Sequence, residues 1–424
     1  MRSRNLPQQW VQCSTLVCAS ILAIPVNAKL LDDSSARLEL RNYYFNRDYR
    51  EGTAPPREEW AQGFLLHLDS GFTEGRIGVG ADAIGMLGIK LDSAPGRSGT
   101  GLLKVARNGR AEDDYWKLAL AGKLKASKTQ FKFGALVPPT LPTLKPNDGR
   151  LFPQVFEGGL LTSNEIDDLE LTAGRLSRVM QRNATEYTPL TLSPLNRRFQ
   201  GQGATAEHFD MAGIDYRFHK QWLARVHVAQ LEDIYRQQVF TLVGKSPWGP
   251  GTFSGDLRLS LMNDYGDAKG GKIDNRALQG MLGYAYKGHS LGLTYQRMLG
   301  DTGYANILGA DANLINLSIL GDFANAKERS WALRYGYDFA SLGLPGLSLN
   351  SRYISGSHAE ITGTRTIGKS WELDNELRYV VQQGPLKNLS VRLRSAFYRS
   401  NYAKNFIRDT DDTRLMFNYS WNIK

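Results

Sequence analysis

The run 414-RLMFNYSWNIK-424 has two different faces. Leu415, Phe417, Tyr419, Trp421 and Ile423 fall in one phase of a period-2 pattern, while Arg414, Met416, Asn418, Ser420 and Asn422 fall in the other, as in one long strand. Just upstream, 388-NLSVRLRSAFYR-399 sets Leu389, Val391, Leu393 and Phe397 against Arg392, Arg394 and Tyr398. Before it, 371-WELDNELRYVV-381 sets Trp371, Leu373, Leu377 and Tyr379 against Glu372, Asp374, Glu376 and Arg378. Three neighbouring strands thus carry arginine on one face. A soluble antiparallel sheet would turn the apolar face to a core and the charged face to water. A transmembrane barrel would turn the first to lipid and the second to a lumen. The rest of the chain decides between them.

The first 28 residues stand apart: Arg2 and Arg4 open a positive start, Val11 to Ile24 is mostly apolar, and Val26-Asn27-Ala28 ends on small residues. This reads as a secretory signal cleaved after Ala28, leaving residues 29–424 as one domain. Both cysteines, Cys13 and Cys18, lie in that segment, so the exported chain contains no disulfide. With 52 basic and 42 acidic residues the formal charge is +10, or +8 without Arg2 and Arg4. Basic runs with interleaved aromatics are missing, which argues against nucleic acid and for small anionic partners. No stretch after residue 28 approaches the ~18 consecutive apolar residues of a membrane helix.

Turn signals recur throughout without a linker or a change of composition. Eighteen strands are expected at 36–45, 62–71, 75–90, 115–124, 127–135, 156–163, 169–180, 206–218, 222–231, 235–243, 256–263, 276–286, 290–299, 330–339, 346–354, 370–381, 388–399 and 413–423. Short connections (71–75, 124–127, 287–289, 340–346) alternate with long ones (46–61, 91–114, 136–155, 181–205, 300–329, 355–369, 400–412). Short turns on one rim and long loops on the other characterise outer-membrane barrels, and a soluble sandwich does not sort its loops this way. The expected fold is therefore all-β: one 18-stranded antiparallel transmembrane β-barrel with short periplasmic turns and long extracellular loops. The segment 136-LVPPTLPTLKPNDGRLFPQV-155 holds five prolines, which cannot all join a ladder. With Leu141, Leu144, Leu151 and Phe152 it reads as a stiff loop folded inward against the barrel wall.

The same alternation puts Arg334 and Arg352 in the lumen, and Arg37 with Arg41 in the lumenal phase of the first strand, which must meet the last. Six adjoining strands would then form a cationic stripe. Guanidinium stays charged and offers a planar fork to carboxylates, and repeated sites let an anion enter without being trapped. The plainer alternative is that these arginines pair with Glu372, Asp374, Glu376, Glu39 and Asp338 as interior ion pairs. The glycines of 78-GVGADAIG-85 precede no helix and make no dinucleotide site. His67, His208, His219, His227, His289 and His358 lack metal-ligand spacing. No metal or other cofactor is expected.

The chain resembles the OprD-type substrate-specific porins over nearly its whole exported length. The likeness rests on 149-GRLFPQ-154, 231-LEDIYRQ-237, 344-LPGLSLNSRYISG-356 and 378-RYVVQQGPLKNLSVRLR-394, in order and at the spacing of an eighteen-strand barrel. It implies a barrel narrowed by inward loops, with a basic ladder guiding small carboxylates across the outer membrane. Arg392 and Arg394 match the paired ladder arginines, Arg414 that of the last strand, Arg378 the basic position on the strand before, and Arg150 the third-loop arginine. Asp311 in 309-GADANLINLS-318 resembles the acidic constriction residue of the seventh loop. The end at Ile423-Lys424 departs from the usual terminal aromatic. The reading is a channel rather than an enzyme, with a barrel hydrolase and a structural or adhesive barrel as alternatives. Expected partners are cyclic or aromatic acids or amino acids, outer-membrane lipid and lipopolysaccharide, and the barrel assembly machinery. The proline-rich loop favours the cyclic and aromatic acids.

Overall fold

The computed structural model describes residues 28–50, 54–402 and 408–424. The expected signal lies outside the described residues apart from Ala28. The strands are β1 (Ser35–Tyr49), β2 (Arg57–Asp69), β3 (Gly78–Asp92), β4 (Asp114–Ala126), β5 (Thr129–Leu136), β6 (Val155–Ile166), β7 (Leu169–Met180), β8 (Tyr187–Thr191), β9 (Thr205–Ala206) and β10 (Phe209–His219). They continue as β11 (Trp222–Leu231), β12 (Tyr235–Trp248), β13 (Gly251–Asp264), β14 (Asp274–Tyr286) and β15 (His289–Leu299). The last five are β16 (Arg329–Asp338), β17 (Leu347–Glu360), β18 (Ile367–Val380), β19 (Ser390–Ser400) and β20 (Thr410–Asn422). Each barrel strand pairs antiparallel with the next, and β7 pairs directly with β10, from Phe209↔Leu176 to Tyr216↔Leu169. β8 and β9 therefore belong to a loop and stand outside the eighteen-stranded cylinder. The cylinder closes where β1 meets β20, from Arg37↔Asn422 to Tyr49↔Thr410.

The loop sorting expected from sequence is present. Two-residue turns at 127–128, 167–168, 220–221, 249–250 and 287–288 occupy one rim. Lys287 and Gly288 both have positive φ, as a type I′ hairpin turn requires, while Ser127 and Asp168 each supply one such residue to their turns. The opposite rim carries the long loops 93–113, 137–154, 181–208 and 300–328. Several expected loops are shorter than the alternation suggested: 46–61 contracts to 50–56, 355–369 to 361–366, and 400–412 to 401–409. Strands that rise beyond the lipid band meet water on their outer face. Their apolar phase therefore ends before their pairing does.

The outward phase is apolar: Trp331, Leu333, Tyr335, Leu377 and Leu393 are exposed on it. All four of these long loops send buried side chains into the lumen. Leu141, Leu144, Leu151 and Phe152 of the proline-rich loop are buried, as expected, against β2, β4 and the loop 300–328. On the β10–β11 wall the buried His227 ring lies over Gly213, where a Cβ would come within 2.1 Å of Nδ1. His227 is fixed there by a 2.7 Å contact from Nε2 to Asp215.

The protein is expected to run as a compact band on SDS gels until heated. Gly213→Val should lower the temperature at which that band is lost, since forcing a side chain under His227 costs about 1–3 kcal/mol.

Candidate functional site

Pairing register sets the spacing of the lumenal arginines. Arg334 stands directly opposite Arg352, Arg352 opposite Asp374, Arg378 opposite Arg392 and Glu376 opposite Arg394, and Arg394 opposite Arg414. Like charges directly across a ladder destabilise it unless anions intervene, and the intervening anions are few. Glu376 alone serves Arg392 at 2.7 Å and Arg394 at 2.8 Å. Asp374 binds Arg352, with a 3.2 Å bond from Nε. Asp412 binds Arg414 and also Arg47, at 2.8 Å. Arg334 donates to the Ile315 carbonyl and lies 3.8 Å from Met281 Sδ, and Arg378 donates to Ser390 Oγ at 3.1 Å. Neither has a carboxylate within 4.0 Å among the described residues. Arg334, Arg352, Arg392 and Arg394 line a cavity of about 480 Å³, walled also by Ser254, Gly283, Ser290, Gly292, Gly336 and Asn350.

At the other end of this stripe sits the proline-rich loop. Arg41 is buried and clamps it to β1: one guanidinium binds Glu39 at 2.7 Å, Asp148 at 2.6 Å, and the carbonyls of Arg150 and Leu151 at 3.2 and 3.3 Å. Arg150 therefore lies beside the ladder, on the β1–β20 side of the lumen, and not opposite it. It donates to the Thr100 and Gly149 carbonyls at 2.9 and 2.8 Å and stacks 4.7 Å from the Phe45 centroid. Arg414 covers the same ring at 4.6 Å. Asp311 reaches this loop from 300–328, accepting from Asn147 Nδ2 and lying 3.6 Å from Lys145 Nζ.

Two cations here escaped the sequence reading. Arg182, from the loop 181–208, donates to Asn147 Oδ1 at 2.6 Å. Lys117 is buried on β4 and donates only to carbonyls, those of Gln181, Pro153 and Arg182. Burial, followed by the neighbouring Arg414, Arg182 and Arg47 guanidiniums, pushes the Arg150 pKa well down. Burial likewise lowers that of Arg182. Guanidinium stays protonated at working pH, so both side chains sit here as buried cations. Lys117, Arg47 and Asp412 were legible by phase, because each shares the lumenal alternation of its strand. Arg182 follows the end of β7 and carries no periodic signal.

The loop 300–328 roofs the 480 Å³ cavity. Glu372 accepts from Leu320 N at 2.9 Å and Gly321 N at 2.8 Å, so it holds this loop and not an arginine. Asp338 accepts from Ala340 N at 2.9 Å in a turn on the opposite rim. These two of the five expected acidic partners thus serve the backbone, because it brings unpaired N–H groups within reach. The loop 181–208 is tied to the loop 300–328: the buried Arg198 binds Asp322 through Nη1 at 2.6 Å and Asn325 through Nε at 3.2 Å. The adjacent Glu328 accepts from Asn325 N and Nδ2, both at 2.9 Å. Burial pushes the Glu328 pKa up to about 7.

A closed eighteen-stranded barrel with an apolar exterior, loops folded into the lumen and cations along one wall defines an outer-membrane porin. The chain belongs to the OprD family of outer membrane porins, whose profile it matches over residues 28–423. It is 36% identical over 414 residues to the porin-like protein GalP of Pseudomonas putida, covering 96% of this chain and 97% of that one. The crystal structure of Pseudomonas aeruginosa OccK9 (OpdG) is similar at a TM-score of 0.88 and 45% identity, over 93% of this chain and all of that one. That of Pseudomonas aeruginosa OpdK with vanillate gives 0.86 and 39%, with the same coverage. These relatives are channels, which sets aside the barrel hydrolase and the adhesive barrel.

The raised Glu328 pKa fixes a pH dependence for the roof. The folded loop binds the proton more tightly than an unfolded one, so stability is full below the ordinary value of 4.5 and is lost as pH rises through about 7. The loss amounts to a few kcal/mol. Hydrogen exchange in residues 318–328, corrected for intrinsic rate, should be faster at pH 8.5 than at pH 5.5. In Glu328→Gln that difference should vanish.

Proposed function

We propose that this porin passes small carboxylate-bearing nutrients down their gradient along the arginine-lined wall, as the family's basic ladder implies. The pathway residues are Arg150, Arg378, Arg392, Arg394, Arg414, Arg334 and Arg352, joined by Arg182, with Arg41 and Asp311 shaping the constriction. One observation carries the reading: Arg150, Arg182, Arg334 and Arg378 face the lumen or its constriction without a carboxylate within 4.0 Å among the described residues. The protein's own acids leave this wall positive, and a permeating carboxylate supplies the missing charge. Binding and release from shared forks is easier than from a saturated pair, because a single Glu376 oxygen is divided between Arg392 and Arg394. Cyclic or aromatic acids are the preferred substrates in this reading. The OpdK relative was crystallised with vanillate, an aromatic acid, and a cavity of about 480 Å³ accepts one small ring.

The double variant Arg392→Ala, Arg394→Ala tests this. Coulomb attraction at ~4 Å with an effective dielectric near 20 is ~4 kcal/mol before desolvation, and the variant also leaves Glu376 unpaired in the path. Liposome swelling with vanillate should slow roughly tenfold or more, while a neutral solute of equal size enters as before and conductance shifts toward cations. If the variant passes both solutes in the wild-type ratio, the arginines serve only the wall.

A further inference from the structure

Three arginines on the outside of the barrel have no ion-pair partner among the described residues. On β15 and β16, Arg297 and Arg329 are directly opposed in the ladder. Both belong to the outward phase, with Tyr295 and Trp331 two residues below them. Arg276 on β14 is outward too, and stands diagonal to Arg297, whose direct partner is Leu278. Side chains directly opposed in such a ladder have Cβ atoms ~4.5–5.5 Å apart, and like charges there destabilise the pair. None of the three makes an ion pair within 4.0 Å among the described residues. Asp274 shares the outward phase of Arg276 without bridging to it, and Asp301 in the loop above is held by Lys272 at 2.5 Å and Lys327 at 3.0 Å. The nearest acid in the loop is thus taken up by two lysines, and the three arginines stay uncompensated.

Its height is fixed by the aromatic residues. Trp331 packs 5.7 Å from Tyr353, and Tyr353 stacks 6.2 Å from Trp371, a row that marks one edge of the lipid band. On β14, Tyr286 and Arg276 bracket an outward run that includes Leu282 and Leu278, with Asp274 one outward position above Arg276. Tyr286 and Arg276 are ten residues apart, ~33 Å along the strand and ~25 Å in height at a tilt near 40°, which is the thickness of that band. The arginines stand where lipid headgroups begin, on the long-loop rim, which faces the outside.

We propose that Arg276, Arg297 and Arg329 form a binding site for a phosphate of the outer-leaflet glycolipid, the lipid A portion of lipopolysaccharide. A phosphate offers three oxygens to the guanidinium forks, relieves the Arg297–Arg329 repulsion, and keeps its acyl chains over Leu278, Leu293 and Leu333 below. The site is independent of the lumen and of what passes through it.

Native mass spectrometry of the folded, detergent-purified protein tests the assignment with three probes: bis-phosphorylated lipid A, its dephosphorylated form, and inorganic phosphate. Wild type should retain phosphorylated lipid A roughly tenfold more tightly than the dephosphorylated form, a difference of about 1.4 kcal/mol. R276A/R297A/R329A should bind both alike. Equal retention of the two lipids by wild type, an undiminished preference in the triple variant, or displacement of lipid A by an equal concentration of inorganic phosphate would each overturn the proposal. Arg297→Gln covers the case in which the triple variant does not fold. It should match or exceed wild type in heat resistance in lipid-free detergent, because the like-charge pair is gone, and should gain less than wild type when lipid A is added. An equal gain in the two proteins counts against the site.

Discussion

Everything in this molecule depends on the seam between β1 and β20. In hydrocarbon every backbone N–H and C=O must find an internal partner, so a sheet can cross a membrane only by closing on itself. Here the closure runs from Arg37↔Asn422 to Tyr49↔Thr410. It joins the first and last strands of the chain and brings the lumenal Arg41, Arg47, Asp412 and Arg414 onto one patch of wall. Residues more than 360 positions apart in sequence, such as Arg47 and Asp412, then share an ion pair at 2.8 Å.

Closure also creates an interior that the loops must partly fill. Loop backbone placed inside a barrel carries polar groups that need partners, and lumenal side chains provide them. Arg352 donates to the Leu317 carbonyl at 2.9 Å, Arg334 to that of Ile315, and Arg41 to those of Arg150 and Leu151. Glu372 accepts two loop N–H groups. Reading the lumenal charges as either wall structure or solute path therefore sets up a false choice. A guanidinium has five donors, enough to hold a loop carbonyl with one edge and present another to the channel. Buried pairs such as Arg198–Asp322 add geometric definition to the roof more than stability, because desolvation offsets most of their attraction.

The outer surface obeys the opposite logic. Its apolar phase needs no specific partner, so its exceptions stand out. An aromatic row at Trp331, Tyr353 and Trp371 gives way within two residues to cations on adjoining strands. The same alternation that conceals Arg334 in the lumen exposes Arg329 and Arg297 to the membrane surface.

The sequence by itself determined the strand count, the two phases and the sorting of the loops, because side-chain alternation and turn chemistry act over a few residues and survive in one dimension. It also placed Arg334, Arg352, Arg392, Arg394 and Arg414 on the lumenal face for the same reason, and the prolines of 136–155 were enough to remove that segment from the sheet. Tertiary structure alone decided where the loops went and with whom each charge paired. Arg150 lies beside Arg414 because Arg41 clamps its loop to β1, and Arg182 enters the constriction because the loop 181–208 turns inward to Asn147. The ends of β17 and β18 outran their alternation because strands above the lipid band no longer need an apolar face. Such contacts depend on distances between segments far apart in the chain, and only closure of the cylinder fixes those distances.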